Sequence, residues 1–216
     1  MFKSQSENIG ILCRGSSLLG LSDIEKNFDK CFIVNDFKNE IYHFENIFKR
    51  KEIIHFVNRL STIPLKKKTY REFNIKKVQM NIPFTLNDRV FLISYLRYLS
   101  FFLRVHTVPT KFFNEINFTN RNAYKKKFPN TGIFSIFFTC KYLNVKNIYI
   151  AGLDFYKSDY IFRTKYASPL DVQYGKFVEL NLIDIFIKFI RSKNYINFYM
   201  RTNYNFSNKP DNLILI

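Results

Sequence analysis

Tryptophan is absent from the 216 residues, and glycine, proline and cysteine are scarce at 6, 6 and 3. So little Gly and Pro excludes collagen-like, linker-rich and low-complexity architectures, and no internal repeat of solenoid length is present. Cys13, Cys31 and Cys140 are odd in number, stand far apart in apolar segments, and make no C-x-x-C or Cys/His cluster at zinc spacing. A disulfide framework is therefore excluded, and a reducing cytoplasm is the expected compartment. The opening residues MFKSQSENIGILC hold no apolar stretch of secretory-signal length, so export is not expected. The most apolar run, Val90 to Leu103, is broken by Arg97 and followed by Arg104, which leaves it short of the roughly 20 apolar residues that span a bilayer. It reads either as a buried helix whose arginines reach the surface or as an interfacial helix whose cations snorkel at an anionic membrane.

Acidic residues are also few: Asp and Glu number 17 against 34 Lys and Arg, for a formal charge of +17. That balance favours phosphate-bearing partners such as a nucleotide, a nucleic acid or an anionic membrane surface. The crowding of Lys, Asn, Ile, Phe and Tyr is also what AT-rich coding imposes, so the charge is a bias and not a function. The basic residues are dispersed and no nucleic-acid module is recognisable, which ranks nucleic-acid binding last.

What is abundant is apolar, 47% of residues, and aromatic, 19%. That is enough for one full core, and residues 1–216 read as a single α/β domain. Ile9 to Cys13 reads as a strand, Arg14-Gly15-Ser16-Ser17 as a tight turn, and Leu18 as the start of a helix. Cys31 to Val34 and Ile53 to Val57 read as two further buried strands, ending at Asn35-Asp36 and at Asn58. Each strand is followed by a polar side chain at its C-terminal end, where open α/β sheets bind ligands. Residues 61–87 read as a lysine-rich surface segment with a possible edge strand.

From Asn130 the pattern sharpens. Thr131-Gly132 opens a helix that runs to Leu143, with Asn144 near its C-cap, and Ile148 to Ala151 is a buried strand ending in Gly152-Leu153-Asp154-Phe155-Tyr156. Residues 157–176 lack periodicity and suit a lid over the rim. Glu179 to Ile190 is a second apolar helix, and Tyr195 to Met200 a last strand.

No motif for common chemistry is present: G-K-[ST], G-x-G-x-x-G, G-x-S-x-G and D-x-D are all missing. Without D-x-D, the usual metal-bridged diphosphate site has no ligand set. The Arg14–Ser17 turn on its own reads more readily as a helix cap than as a nucleotide contact. His43, His55 and His106 have no triad or metal spacing and read as structural. Asp36 and Asp154 are candidates for paired carboxylates across a rim, although Asp154 is equally one polar turn residue among others.

Taken together these segments resemble the bacterial sialyltransferases of glycosyltransferase family 42, the type that caps lipooligosaccharides. The family's Gly-Asn-Gly-Pro-Ser turn after the first strand is matched at Gly15 and Ser17, with Arg14 where the family has Asn and Ser16 where it has Pro. Its donor-contacting asparagines fall on Asn35 and Asn58. Its Thr-Ser-Gly helix, strand and Gly-Ile-Asp-Phe-Tyr block is similar to Asn130-Thr131-Gly132 through Gly152-Leu153-Asp154-Phe155-Tyr156 in type, order and spacing. The likeness runs from about Ile9 to Met200 and is thin between residues 61 and 128.

The resemblance implies a Rossmann-like α/β/α sandwich with a mostly parallel sheet, a variant A-type glycosyltransferase. It also implies a CMP-activated nonulosonic acid as donor and no metal or other cofactor. Arg14, Gly15, Ser17, Asn35, Asn58, Asn130, Thr131, Gly132, Gly152 and Asp154 would lie around the nucleotide, and Tyr156 and Tyr160 would donate hydrogen bonds to the departing phosphate. Two neutral donors and a helix N-terminus can meet the charge of a single phosphate without Mg²⁺. The family's general-base His, followed two residues later by Lys, falls on Tyr174-Gly175-Lys176. A tyrosine of pKa ~10 is about 0.1% ionised at neutral pH, so the base is Asp171 or another carboxylate, or His106 brought in by the fold, or the activity is weak or altered.

The expected function is transfer of a sialic acid from CMP to a glycan hydroxyl such as a terminal galactoside of a lipooligosaccharide, with inversion. The rivals are a catalytically silent nucleotide- or glycan-binding relative and a transferase for another CMP-keto-sugar acid. The expected location is cytoplasmic, with room for attachment at the inner face of the membrane and for a homo-oligomer.

Overall fold

In a computed structural model, residues 7–58, 65–116, 130–162 and 181–216 are described. Asp171, Tyr174 and all but the first residues of the expected 157–176 lid lie outside them. Along the chain come β1 (Glu7–Leu12), a 3-10 turn (Ser16–Gly20), α1 (Leu21–Ile24), a second 3-10 turn (Glu25–Asn27), β2 (Lys30–Val34), α2 (Lys38–His43) and α3 (Glu45–Phe48). Next are β3 (Glu52–Val57), α4 (Lys67–Glu72), β4 (Lys77–Met80), α5 (Arg89–Ser100), β5 (Arg104–Thr107) and α6 (Thr110–Ile116). The chain continues with α7 (Thr131–Tyr142), β6 (Val145–Ala151), α8 (Leu182–Ser192), β7 (Asn197–Arg201) and β8 (Leu213–Leu215). The class is α/β, with parallel strands and intervening helices in the Rossmann-like manner.

The chain divides into two compact units, one of Met1–Cys31 with Ile136–Ile216 and the other of Phe32–Ser135. In the first, the strands lie in the order β1-β6-β7-β8, all parallel. Ile9 and Ile11 of β1 stand beside Ile148 and Ile150, which in turn stand beside Phe198 and Met200, and all are buried. Such continuous apolar strands are what a sheet covered on both faces requires. The register places Leu12, Ala151 and Arg201 level with one another, so the segments that leave β1, β6 and β7 emerge on one rim. Helix α8 packs through Leu182, Phe186, Ile187 and Ile190, an apolar stripe at helical spacing.

In the second unit the order is β5-β4-β3-β2, and Val57, Met80 and Thr107 are level at the ends of β3, β4 and β5. The expected surface character of residues 61–87 needs correction in one respect. β4 lies between β3 and β5, with Val78 and Met80 fully buried, so the possible edge strand is an internal one, whose start is obscured by Lys76 and Lys77. β5, α6 and β8 are further elements that the sequence patterning does not announce. Among the described residues no helix is long and apolar enough to cross a membrane.

Candidate functional site

In the first unit the rim is organised around Asp154, a side chain only 3% exposed. Its carboxylate accepts hydrogen bonds from the Ser17 amide (3.0 Å), the Asn203 amide (3.0 Å) and the Ser158 hydroxyl (2.6 Å). The segments that follow β1, β6 and β7 are thereby tied to one anion. Ser17 extends the tie, because its hydroxyl donates to the Arg201 carbonyl and accepts from the Gly152 amide, both at 3.0 Å. Asn203 also donates from Nδ2 to the Ser16 hydroxyl at 2.8 Å.

The two glycines are required by close approach. A β-carbon at Gly15 would collide with the Asp154 carboxylate and the Gly152 carbonyl, and one at Gly152 would collide with the Cys13 carbonyl. Gly152 also has φ of +74°, where any side chain is strained. Gly15, Ser17, Gly152 and Asp154 thus shape the rim. Burial, with the negative Asp154 beside it, pushes the Cys13 thiol up to about 12, so that sulfur stays protonated and is a poor nucleophile.

Beyond Asp154 the chain makes a tight turn, closed by a 2.9 Å bond from the Lys157 amide to the Asp154 carbonyl. Its central residues, Phe155 and Tyr156, have φ of +51° and +61°. Turns with φ positive at both central positions favour Asn and Gly, and two aromatics there store roughly 1–3 kcal/mol of strain each. What holds Phe155 is an aromatic cluster: Phe186, Tyr204 and Phe206 have ring centroids 5.3, 5.1 and 5.6 Å from its own. Tyr156 is left half-buried on the rim.

Tyr160 reaches the same rim by a short antiparallel pairing with Gly15, in which the Ser16 amide donates to the Asp159 carbonyl and the Ile161 amide to the Arg14 carbonyl. The Arg14 guanidinium lies 4.9 Å from the centre of the Tyr160 ring and donates to the Phe162 carbonyl at 2.7 Å. The first unit therefore brings together Arg14, Gly15, Ser17, Gly152, Asp154, Tyr156 and Tyr160.

The remaining described candidates belong to the second unit. Asn35, just past β2, has φ of +55°, and its side-chain oxygen accepts from the Asn58 amide at 3.1 Å. Its carbonyl meets His55 Nε2 at 2.6 Å, and His55 Nδ1 lies 2.7 Å from the Tyr70 hydroxyl. A carbonyl can only accept, so Nε2 carries the proton and the phenol donates to Nδ1. Burial pushes His55 down to about 4 and Tyr70 well above its usual value, which keeps the imidazole neutral and the phenol a donor.

Asn130 caps α7 with its side-chain oxygen, which accepts from the Ile133 amide at 2.8 Å. Thr131 and Gly132 are buried in the first turn of that helix. His106 is exposed on β5, and Asp36 is half-buried beside Asn35.

Three residues were passed over that the geometry adds. Ser158 and Asn203 hold Asp154, and Asn81 follows β4 as Asn35 follows β2 and Asn58 follows β3. The Asn81 amide donates to the Val57 carbonyl at 3.0 Å, while its buried side-chain oxygen has no hydrogen-bond partner among the described residues. A polar side chain directly after a strand is the signal that singles out Asn35 and Asn58, and Asn81 carries it too once β4 ends at Met80; Asn203 stands two residues past β7 and does not carry it. Among the described residues no three His, Cys, Asp or Glu side chains gather where they could hold a metal ion. No family model and no curated protein matches the chain.

Proposed function

We propose that the protein is an inverting, metal-independent glycosyltransferase that moves a sialic acid or a related nonulosonic acid from a CMP donor to a glycan hydroxyl. The observation that carries this reading is the Phe155-Tyr156 turn. Strain held by surrounding packing at the C-terminal end of a parallel strand is typical of ligand sites, and this turn falls inside the block whose resemblance to the sialyltransferases is most specific. Tyr156 and Tyr160 would donate hydrogen bonds to the phosphate as its bond to the sugar breaks and CMP leaves with the electron pair. The acceptor oxygen then bonds the oxocarbenium-like carbon from the opposite face and yields its proton to a base. Asp154 is unsuited to that last role, since its oxygens are engaged by three donors.

That engagement favours a second reading, a silent nucleotide- or glycan-binding relative, unless Asp171 or Tyr174 supplies the base. CMP and CTP are expected to raise the melting temperature in a concentration-dependent way, whereas UDP, GDP and NAD are not. An equal response to UDP would remove the donor assignment.

Turnover separates the two readings. CMP release from CMP-sugars, measured with simple galactosides in EDTA, should persist in the wild type and fall about 10 to 150-fold in Tyr156→Phe, the cost of one lost hydrogen bond to a charged group. Tyr174→Phe should change it less than about tenfold, and Tyr174→His should raise it, most visibly above pH 6.5. CMP binding without release in the wild type, with release appearing in Tyr174→His, would establish the silent reading. Strict Mn²⁺ dependence would overturn the phosphate chemistry.

A further inference from the structure

Helix α5, in the second unit, is apolar on both sides. Its inner face buries Phe91, Ser94 and Tyr98, and Asp88 caps its start by accepting from the Phe91 amide at 3.0 Å. Its outer face should be polar if it faced only water. Instead Val90, Ile93, Leu96 and Leu99, at every third position, are 42 to 55% exposed. Phe84 and Leu86 extend the exposed apolar surface on the near side, and Phe102 extends it past the helix end at 84% exposure.

Phe102 makes this more than scattered exposure. The Phe102 amide donates to the Leu99 carbonyl at 2.8 Å and the Leu103 amide to the Tyr98 carbonyl at 3.3 Å, the pattern that closes a helix through a left-handed residue, normally glycine. Here that residue has φ of +63° and carries a large aromatic side chain turned to solvent. At that exposure the phenylalanine contributes little burial to the fold.

The charges around the face are predominantly positive, with Asp88 and Glu72 the acidic residues on the same segments. Lys67 Nζ lies 5.2 Å from the centre of the Phe102 ring, and Lys66, Lys68, Arg89, Arg97 and Arg104 are exposed on the same or neighbouring segments. A second copy of the chain joined symmetrically through this face would set these cations against their own counterparts. An anionic lipid surface would neutralise them while its acyl boundary received the apolar side chains.

We propose that the outer face of α5, with Phe102, docks the protein on an anionic lipid bilayer. The proposal is independent of the transferase reading, because it is read by binding and not by turnover.

The test is co-sedimentation with vesicles of equimolar phosphatidylglycerol and phosphatidylcholine, and with phosphatidylcholine alone, at moderate salt. The wild type should bind the first and not the second. Phe102→Gly, which relieves the strained backbone, should melt no lower than the wild type yet bind about tenfold more weakly. The double variant Ile93→Ser with Leu96→Ser should bind more weakly still, and Tyr195→Ser, an exposed aromatic in the other unit, should bind as the wild type does. Absence of binding to the anionic vesicles overturns the proposal. So does binding that salt removes but none of the α5 variants weakens, which would reflect net charge alone. A wild-type dimer that the double variant converts to monomer, without change in vesicle binding, would assign the face to a second copy instead.

Discussion

Replacing Asp154 with alanine is expected to lower the stability of the folded chain by about 3–5 kcal/mol, since a buried donor left without its acceptor costs roughly 1–3 kcal/mol. The buried Ser17 amide would be left so, while the part-buried Asn203 amide and Ser158 hydroxyl would each lose a hydrogen bond to a charged group, worth roughly 1.5–3 kcal/mol. These partners lie 137, 49 and 4 residues from Asp154 in sequence, so the substitution unties three chain segments together. The loss is a large share of the ~5–15 kcal/mol that keeps a domain folded. Asp154→Asn should cost about half as much, because one acceptor oxygen survives while the new amide group opposes a donor. Urea unfolding at neutral pH measures both, as a lower midpoint with an unchanged slope. A loss below about 1 kcal/mol in the alanine variant would show that the carboxylate does not hold the rim together.

The same residue marks where the sequence stops being informative. A carboxylate after the strand that ends at Ala151 is visible from the alternation of apolar and polar runs, and so is its place at the C-terminal end of a parallel strand. That it points inward, to a Ser17 amide and an Asn203 amide, is not visible, because both donors are backbone groups that any residue type would offer. Phe155 and Tyr156 are opaque for a related reason. No glycine or asparagine announces their left-handed backbone, which is imposed by the packing of Phe155 against Phe186, Tyr204 and Phe206.

Element by element, legibility follows burial. β1, β2, β3 and β6 are read from the sequence because their residues are almost uniformly apolar. Lys77–Met80 registers only as a possible edge strand and Arg104–Thr107 not at all, because each mixes polar and apolar side chains over only four residues. Arg104–Thr107 alternates between exposed and half-buried positions, as an edge strand does. The Val90–Leu103 run is identified as a helix; α5 buries one face through Phe91 and Tyr98, and its opposite face is apolar yet exposed, which leaves the interfacial alternative to the vesicle experiment.

The stability of the second unit should fall as the pH drops from 6.5 to 4, and His55 is the cause. In the folded chain the ring is fully buried and neutral, donating through Nε2 to the Asn35 carbonyl and accepting the Tyr70 proton at Nδ1. A second proton on the imidazole would turn Nδ1 from acceptor into donor, leave the Tyr70 proton without that acceptor, and place a poorly solvated charge in the core. Burial accordingly lowers His55 from 6.5 to about 4. Because the folded value is the depressed one, the unfolded chain takes up the proton first as pH falls. The contribution is complete above 6.5, shrinks through the window, and is gone below about 4, where both states are protonated. Its size is about 3 kcal/mol at 1.36 kcal/mol per unit. His55→Gln keeps a donor for Asn35 without a titrating ring, so it should be less stable than the wild type at pH 7 and should lose less between pH 6.5 and 4. Chemical unfolding of both proteins across that range isolates the effect, since His43, His106 and every carboxylate are common to the two and cancel in the difference. Parallel stability curves for wild type and His55→Gln would show that the buried imidazole does not set the acid sensitivity of the Asn35 turn.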